Sequence, residues 1–293
     1  MGARYGQHFL RNQGAIEAIL RFFGAGAGDA VVELGAGRGA LTEVLAACAG
    51  RLAAVEIDPE LAAALSRSLS LPWMPAEALG SPDTRPADGR FVVQADATQV
   101  RYRDLAVSLG VEEDVRMRVI GNLPYGVATA LVRRAIAERH LVSEALVMVQ
   151  KEVADRLLAN PGTKDYGFLA VLTALAAQRR RVMSLGPGSF EPPPKVRSAV
   201  VSLTFPRPDA GFREADVRLE AVLRAAFTER RKKIASNLAK AYALPRAEAE
   251  AILEACGADP AARAEALAPG VFARLSLALP PPPAAAGVVK SRR

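Results

Sequence analysis

The sequence predicts a doubly wound α/β domain over residues 1–206, a smaller all-helical domain over 207–279 and a flexible tail over 280–293. Three observations carry that expectation. Short apolar, β-branched runs alternate with segments of helical periodicity, which is how a mostly parallel sheet covered on both faces reads in sequence. From about Arg207 the alternation stops, and every periodic segment after it has helical spacing. The end, "PPPPAAAGVVKSRR", keeps no apolar period at all. A length of 293 residues suits one large or two unequal domains.

Taken in order, "GAIEAILRFF" (14–23) is an amphipathic helix, and "AVVELGAGRG" (30–39) is a buried strand entering a glycine turn. Leu41, Val44, Leu45 and Cys48 share one face of a helix over 40–49. A strand (51–60) and a helix (60–69) follow, then a Pro- and Gly-rich surface loop over 71–89. Strands are expected at 90–97, 116–125 and 144–150, with helices at 128–140 and from Lys151, and a strand in the second half of 190–206. In the last third, Leu219, Val222, Leu223, Ala226 and Phe227 mark helical spacing within 215–244, and "RAEAEAILEACG" and "VFARLSLAL" read as further helices.

Composition narrows the function classes. Hydrophobic residues make up 51% and charged residues 24%, which excludes wholesale disorder. The net charge of +7 permits a polyanionic partner. The excess is uneven: from Arg207 on, 15 Lys and Arg face 10 Asp and Glu, whereas the first 206 residues hold 23 against 21. The last third is therefore the better candidate for touching phosphates. Cys48 and Cys256 have no C-x-x-C spacing, so neither a disulfide framework nor a zinc site is expected, and a reducing cytoplasm fits. The start lacks a secretory apolar core, no run approaches the ~18 apolar residues of a membrane helix, and Gly6 breaks the myristoylation pattern. No membrane association and a monomer are expected.

The chemistry begins at "ELGAGRGA", where Gly35, Gly37 and Gly39 follow a strand. Glycine there lets the backbone turn tightly and approach a ligand. With Ala40 the run also fits the G-x-G-x-x-A form of a dinucleotide fold, and a ligand-free turn is the plainer alternative. The charge of Glu33 separates the options. A carboxylate at that strand end repels a pyrophosphate and favours the ammonium and sulfonium of S-adenosylmethionine. Glu56, about twenty residues on, closes the second strand where ribose hydroxyls would donate. Asp96 closes the third strand, where an adenine amine would donate; helix cap or turn former is its ordinary role. A nicotinamide dehydrogenase stays the second option, with no acid/base partner evident for it.

"GNLPY" (121–125) then suggests the nucleophile. An exocyclic amine on a nucleobase is poorly nucleophilic because its lone pair is delocalised into the ring. Asn122, through its side-chain carbonyl, and Leu123, through its backbone carbonyl, can accept both N–H bonds. Pro124 fixes φ and keeps the turn rigid, and Tyr125 offers a ring on which a flipped base stacks. A Pro turn with a core tyrosine is the alternative. No general base of the usual kind is required, in line with only two histidines, His8 and His140; His140 ends a helix and reads as structural.

With these residues in view, the chain resembles the rRNA adenine N6,N6-dimethyltransferases, in particular the housekeeping small-subunit type. The resemblance rests on "GQHFL" (6–10), "ELGAGRGALT" (33–42), "VEIDPEL" (55–61), "ADAT" (95–98), "GNLPY" (121–125), "QKEVADRL" (150–157), "FEPPPKVRSAV" (190–200) and "AFTERRKKIASNL" (226–238). It implies a Rossmann-like S-adenosylmethionine-dependent methyltransferase domain. It also implies that His8, Leu10, Gly35, Glu56, Asp96 and Asn122 line the cofactor site, to which the turn adds Glu33 and Gly37. The target adenine would be held by Asn122 through Tyr125, with Phe190 as a second stacking ring. The implied substrate is two adjacent adenosines in the 3′-terminal hairpin loop of small-subunit (16S) rRNA, in a nearly assembled subunit precursor.

The basic run Glu229–Lys233 is placed mid-helix, and Arg230, Arg231, Lys232 and Lys233, with Lys195, are the expected RNA contacts. Arg179–Arg181 read as suiting a helix C-terminus. Three departures from the family pattern stand out: His8 in place of the usual Asn, Arg197 where Asp is common, and the long 71–89 loop. Two rivals remain open: a large-subunit methylase of the erythromycin-resistance type, and a ribosome-assembly or nucleic-acid-binding factor whose methylation is secondary. DNA adenine methylases usually have a second proline where Leu123 stands.

Overall fold

The computed structural model describes residues 7–281 apart from residue 113. Most of the expected tail, 282–293, lies outside the described residues, as does Gly6 of the "GQHFL" run. The chain divides into two compact units: one runs through Asp155 and includes Ala177–Pro208, and the other comprises Arg156–Ala176 and the chain from Asp209.

The first unit is built on an eight-stranded sheet. Its strands are β2 (Ala30–Leu34), β3 (Arg51–Glu56), β4 (Trp73–Pro75), β5 (Arg90–Gln94), β6 (Met117–Asn122), β7 (Val142–Gln150), β8 (Gln178–Leu185) and β10 (Ser198–Thr204), in the order β4-β5-β3-β2-β6-β7-β10-β8. From β4 to β7 the pairing is parallel; β10 and β8 add antiparallel. The chain winds outward from β2 one way and from β6 the other, so the switch point lies between the carboxyl ends of β2 and β6, where such sheets bind ligands. A separate short ribbon pairs β1 (Phe9–Leu10) with β9 (Phe190–Glu191).

Local sequence explains the element ends. Helix α1 (Gln13–Phe23) starts where the Asn12 side chain accepts from Ala15 N at 2.9 Å and ends at Gly24 in the left-handed region. Helix α2 (Thr42–Cys48) follows the glycine turn, and helix α3 (Pro59–Leu69) is capped by Asp58, with Pro59 in its first turn. Ile16, Ile19 and Phe23 of α1 share one core cluster with Val31, Ile120, Leu146 and Val200 of the sheet. Arg118 ties this region together: it pairs with Asp29 and Glu144, each at 2.9 Å, and lies 4.2 Å over the Phe23 ring. At the switch point Gly121 is obligatory, since a Cβ there would sit 2.4 Å from the Leu34 carbonyl oxygen.

Strand β2 also buries a carboxyl. Glu33 is 2% exposed, and its Oε2 has no hydrogen-bond partner among the described residues. Desolvation pushes its pKa up to about 8, with the Glu56 carboxyl adding to the effect.

The structure corrects several expectations. The 71–89 segment is not all loop, because β4 extends the sheet. A helix over Tyr102–Leu109 and the strand β8 were both missed. Arg179–Arg181 lie in β8 rather than at a helix end; Arg181 pairs with Asp155 at 2.6 Å and Arg180 lies 4.6 Å over the Phe22 ring. Charge on an edge strand also discourages pairing with another chain.

After α4 (Tyr102–Leu109), α5 (Ala128–Ala137) and α6 (Lys151–Leu158), the helices of the second unit are α7 (Phe168–Ala176), α8 (Phe212–Ala226), α9 (Ile234–Tyr242), α10 (Arg246–Ala255) and α11 (Pro269–Ala278). The expected boundary at 206/207 left residues 156–176 with the α/β domain. They pack instead with the helices, because Tyr166 is fully buried there, donates its hydroxyl to the Leu267 carbonyl at 2.8 Å and meets the Phe227 ring edge-on at 6.3 Å. The basic run is not mid-helix either. Residues 227–233 form a turn between α8 and α9, and the buried Asn237 amide donates to the carbonyls of Ala226 (2.8 Å) and Glu229 (3.2 Å) that the break leaves open.

Gly121→Ala drives a methyl against backbone that cannot yield, so the denaturation midpoint is expected to fall by the equivalent of about 1–3 kcal/mol; an unchanged midpoint would contradict the close approach. Because Glu33 binds its proton more tightly folded than unfolded, its stabilisation is full below pH 4.5 and is lost as pH rises through about 8. Glu33→Gln is expected to flatten that slope and to exceed the wild type in stability at the alkaline end; parallel pH–stability curves would refute a buried neutral carboxyl.

Candidate active site

Two adjoining cavities open at the switch point and share Gly35, Ile57 and Pro124. The first is lined by the N-terminal segment Gln7–Phe9, by Gly37 and Glu56, and by Asn122–Tyr125. The second is mainly apolar, with Leu34, Val55, Ala97, Val127 and Leu131 around it and Asp96 as its one acidic lining residue.

Glu56 braces the glycine turn. Its Oε2 accepts from Gly37 N at 2.7 Å, and its Oε1 accepts from Asp58 N at 2.9 Å and Gln7 Nε2 at 3.2 Å. Burial raises its pKa, and the backbone N–H donors oppose that rise. Gly37 is required twice over: its φ is +57°, and a Cβ would meet the Phe9 ring at 3.1 Å. Phe9 is also held by Arg38, whose guanidinium sits 4.4 Å from the ring centroid and 3.4 Å from Glu191.

Asn122 closes β6 beside this turn. One N–H of its Nδ2 donates to the His8 carbonyl at 2.7 Å, which turns the amide nitrogen toward the N-terminal segment and sets Oδ1 at the opposite end as the amide's acceptor. Leu123 is buried and its N–H donates to the Met148 carbonyl at 3.0 Å, while the Pro124 carbonyl accepts from Val127 and Ala128, both at 3.1 Å. The turn is therefore fixed at both ends before the helix Ala128–Ala137 begins. Tyr125 is half-buried; its hydroxyl lies 2.9 Å from Ser198 Oγ and its ring centroid 5.5 Å from that of His8. His8 Nδ1 lies 2.7 Å from the Pro192 carbonyl, so Nδ1 carries the proton in that contact.

The sequence-derived site residues divide accordingly. His8, Gly35, Gly37, Glu56, Asn122, Leu123, Pro124 and Tyr125 converge on the first cavity, and Asp96 lines the second. Asp96 also does the ordinary work of a turn: its Oδ1 accepts from Thr98 N and Oγ1, both at 2.8 Å. Three residues do not line either cavity. Leu10 and Phe190 pair across the β1–β9 ribbon and point into the core cluster with Ile16, Ile19 and Phe23; Phe190 is 1% exposed and presents no stacking face. Glu33 lies sealed beneath the turn. Gln7, Phe9, Ile57 and Ser198 enter the site unannounced. "GQHFL" carried the signal for the first two, "VEIDPEL" for Ile57 and "FEPPPKVRSAV" for Ser198.

Among the expected RNA contacts, Lys195, Arg231, Lys232 and Lys233 are exposed. Arg230 is not free: its Nη2 donates to the carbonyls of Lys164 and Tyr166, both at 3.0 Å, and lies 3.6 Å from Glu265. No group of side chains suited to a metal ion occurs among the described residues.

The chain is similar to known proteins over nearly its whole length. The chain is 36% identical over 289 residues to the ribosomal RNA small subunit methyltransferase A of Bordetella avium (strain 197N), covering 98% of this chain and 97% of that one. Among solved structures, a dimethyladenosine transferase from Plasmodium falciparum shares the fold with a TM-score of 0.73 at 23% identity, over 92% of this chain and 96% of that one. The 23S rRNA methyltransferase ErmE gives a TM-score of 0.63 at 28% identity, over 92% and 99%. A family model described as ribosomal RNA adenine dimethylase matches residues 2–279. The chain belongs to the ribosomal RNA adenine dimethylase family, S-adenosylmethionine-dependent enzymes on an α/β Rossmann-like fold with a helical C-terminal part.

Proposed function

We infer that this enzyme methylates N6 of two adjacent adenosines in the 3′-terminal hairpin loop of small-subunit (16S) rRNA, giving N6,N6-dimethyladenosines during small-subunit biogenesis. The observation that carries the reading is Asn122: one amide N–H is given to the His8 carbonyl, which turns Nδ2 that way and leaves Oδ1 to accept beside a half-buried tyrosine.

The cavities fit the cofactor. An apolar pocket with one acidic lining residue suits a purine, and the neighbouring Glu56 with two glycines suits a ribose and the methionine portion. The N–H groups of Gly35 and Ala36 are given to the Val55 carbonyl and that of Gly37 to Glu56, so the turn offers none of these three to a pyrophosphate. Gly35, Gly37, Glu56, Asp96 and His8, with Ile57, would hold S-adenosylmethionine. Bound there, it supplies an electrophilic methyl group.

The protein's own part is positioning and electrostatic preorganisation. Asn122 Oδ1 and the Leu123 carbonyl accept the two amine N–H bonds and draw the nitrogen toward a tetrahedral form with its lone pair free. Pro124 keeps those acceptors aimed, and Tyr125 stacks on the base, an interaction worth about 1–3 kcal/mol. Arg231, Lys232 and Lys233, with Lys195, contact the RNA backbone; Arg230 holds its own unit together.

A small-subunit substrate is favoured over a large-subunit one by the 36% identity to small-subunit methyltransferase A across nearly the whole chain, against 28% to ErmE. Glu56, Asp96, Asn122 and Tyr125 being intact favours catalysis over a purely architectural role. The partner is the small-subunit precursor, and the enzyme acts as a cytoplasmic monomer; no described helix is long and apolar enough to cross a membrane.

Incubation with S-adenosylmethionine and unmethylated small or large subunits, followed by mass spectrometry, is expected to place dimethyladenosine on the small subunit alone; product confined to large subunits overturns the assignment. Asn122→Ala is expected to keep subunit binding while methyl transfer falls by about 100-fold or more. Replacing Arg231, Lys232 and Lys233 by alanine is expected to lower the salt slope of RNA binding by about one per lost phosphate contact, and an unchanged slope removes the turn from the interface.

A further inference from the structure

Tyr125 is gripped at two points that the turn itself does not need. The backbone of Leu123–Val127 is already fixed by its own hydrogen bonds. Even so, the tyrosine hydroxyl lies 2.9 Å from Ser198 Oγ, and the imidazole of His8 lies against the ring, centroids 5.5 Å apart and planes inclined by 32°. Ser198 is 1% exposed and begins β10, in register with Gln150 on one side and Leu185 on the other, so its hydroxyl has little freedom to move. Tyr125 is the one side-chain partner of that hydroxyl among the described residues. His8 is tethered in turn through Nδ1 to the Pro192 carbonyl at 2.7 Å.

The spacing of the two rings decides what His8 does. A base held between two rings needs about 7 Å, twice the ~3.5 Å contact distance of carbon atoms. At 5.5 Å the His8 ring backs Tyr125 and leaves no slot between them, so a base stacks on the tyrosine's other face. Phe190, the ring expected from the sequence to complete a sandwich, is in the core.

We propose that Ser198 and His8 are positioning residues for methyl transfer, fixing the Tyr125 ring in the orientation on which the target base stacks. The proposal rests on the reading that Tyr125 stacks on the base. Burial raises the Tyr125 pKa, which keeps the phenol protonated and the Ser198 contact intact through the neutral range.

The test combines a direct readout with kinetics. In the protein without substrate, isotope-labelled Tyr125 is expected to give NMR signals of a restrained ring in the wild type and of a rapidly flipping ring in Ser198→Ala; a freely flipping ring in the wild type overturns the proposal. On unmethylated small subunits, Ser198→Ala and Tyr125→Phe are each expected to lower kcat by about tenfold, the worth of one hydrogen bond, with KM for S-adenosylmethionine unchanged. The double variant is expected to be no worse than either single one, Ser198→Thr to recover most of what Ser198→Ala loses, and His8→Ala to give the same rapidly flipping Tyr125 ring signals. Wild-type kcat in Tyr125→Phe, which leaves buried β10 untouched, or losses that multiply in the double variant, overturn it. A wild-type enzyme that methylates only large subunits overturns the substrate assignment instead, while the ring measurement still decides the positioning roles.

Discussion

The hydrogen bond from Asn122 Nδ2 to the His8 carbonyl decides which way the site faces. An amide presents a donor and an acceptor of similar size, and only a partner on one end tells them apart. Here the partner is backbone, so the choice does not depend on a rotamer elsewhere. It does depend on the N-terminal segment lying where it does. That segment is held by the β1–β9 ribbon, by Arg38 on Phe9 and by Gln7 on Glu56. Cofactor-side and base-side residues are thus parts of one network.

The fold supplies the rest by topology. Parallel strands β2, β3 and β6 end at the same edge, so Gly35, Glu56 and Asn122, scattered over 88 positions of sequence (35 to 122), come together without any long-range side-chain recognition. Glu56 then serves two ends. It satisfies the N–H of Gly37 and Asp58, which the tight turn would otherwise leave open, and it keeps a carboxylate at the cavity wall.

Much of this was legible beforehand because parallel strands announce themselves as apolar runs and their carboxyl ends as glycine, acid or amide. β8 was not legible: three consecutive arginines hide an edge strand whose exposed face tolerates charge. The break between α8 and α9 has no Gly or Pro to signal it, and it is stabilised by Asn237, a tertiary contact that local pattern does not contain. Within the site, motif matching found the right segments but not which way side chains point. Within β1 Leu10 turns into the core where Phe9 faces the cavity, and Phe190, paired with Leu10, turns the same way; a strand's two-residue period separates such neighbours only once its register is known. Glu33 follows the same logic: a carboxylate at the cavity would favour a cation, but β2 is buried on both faces.

The orientation of Asn122 is tested most directly by a structure of the enzyme with adenosine and a non-reactive analogue of S-adenosylmethionine. The account requires Oδ1 within hydrogen-bonding distance of N6, Nδ2 still on the His8 carbonyl, and the purine against the Tyr125 ring. An amide turned to offer Nδ2 to the base, or a purine seated away from Tyr125, would contradict it.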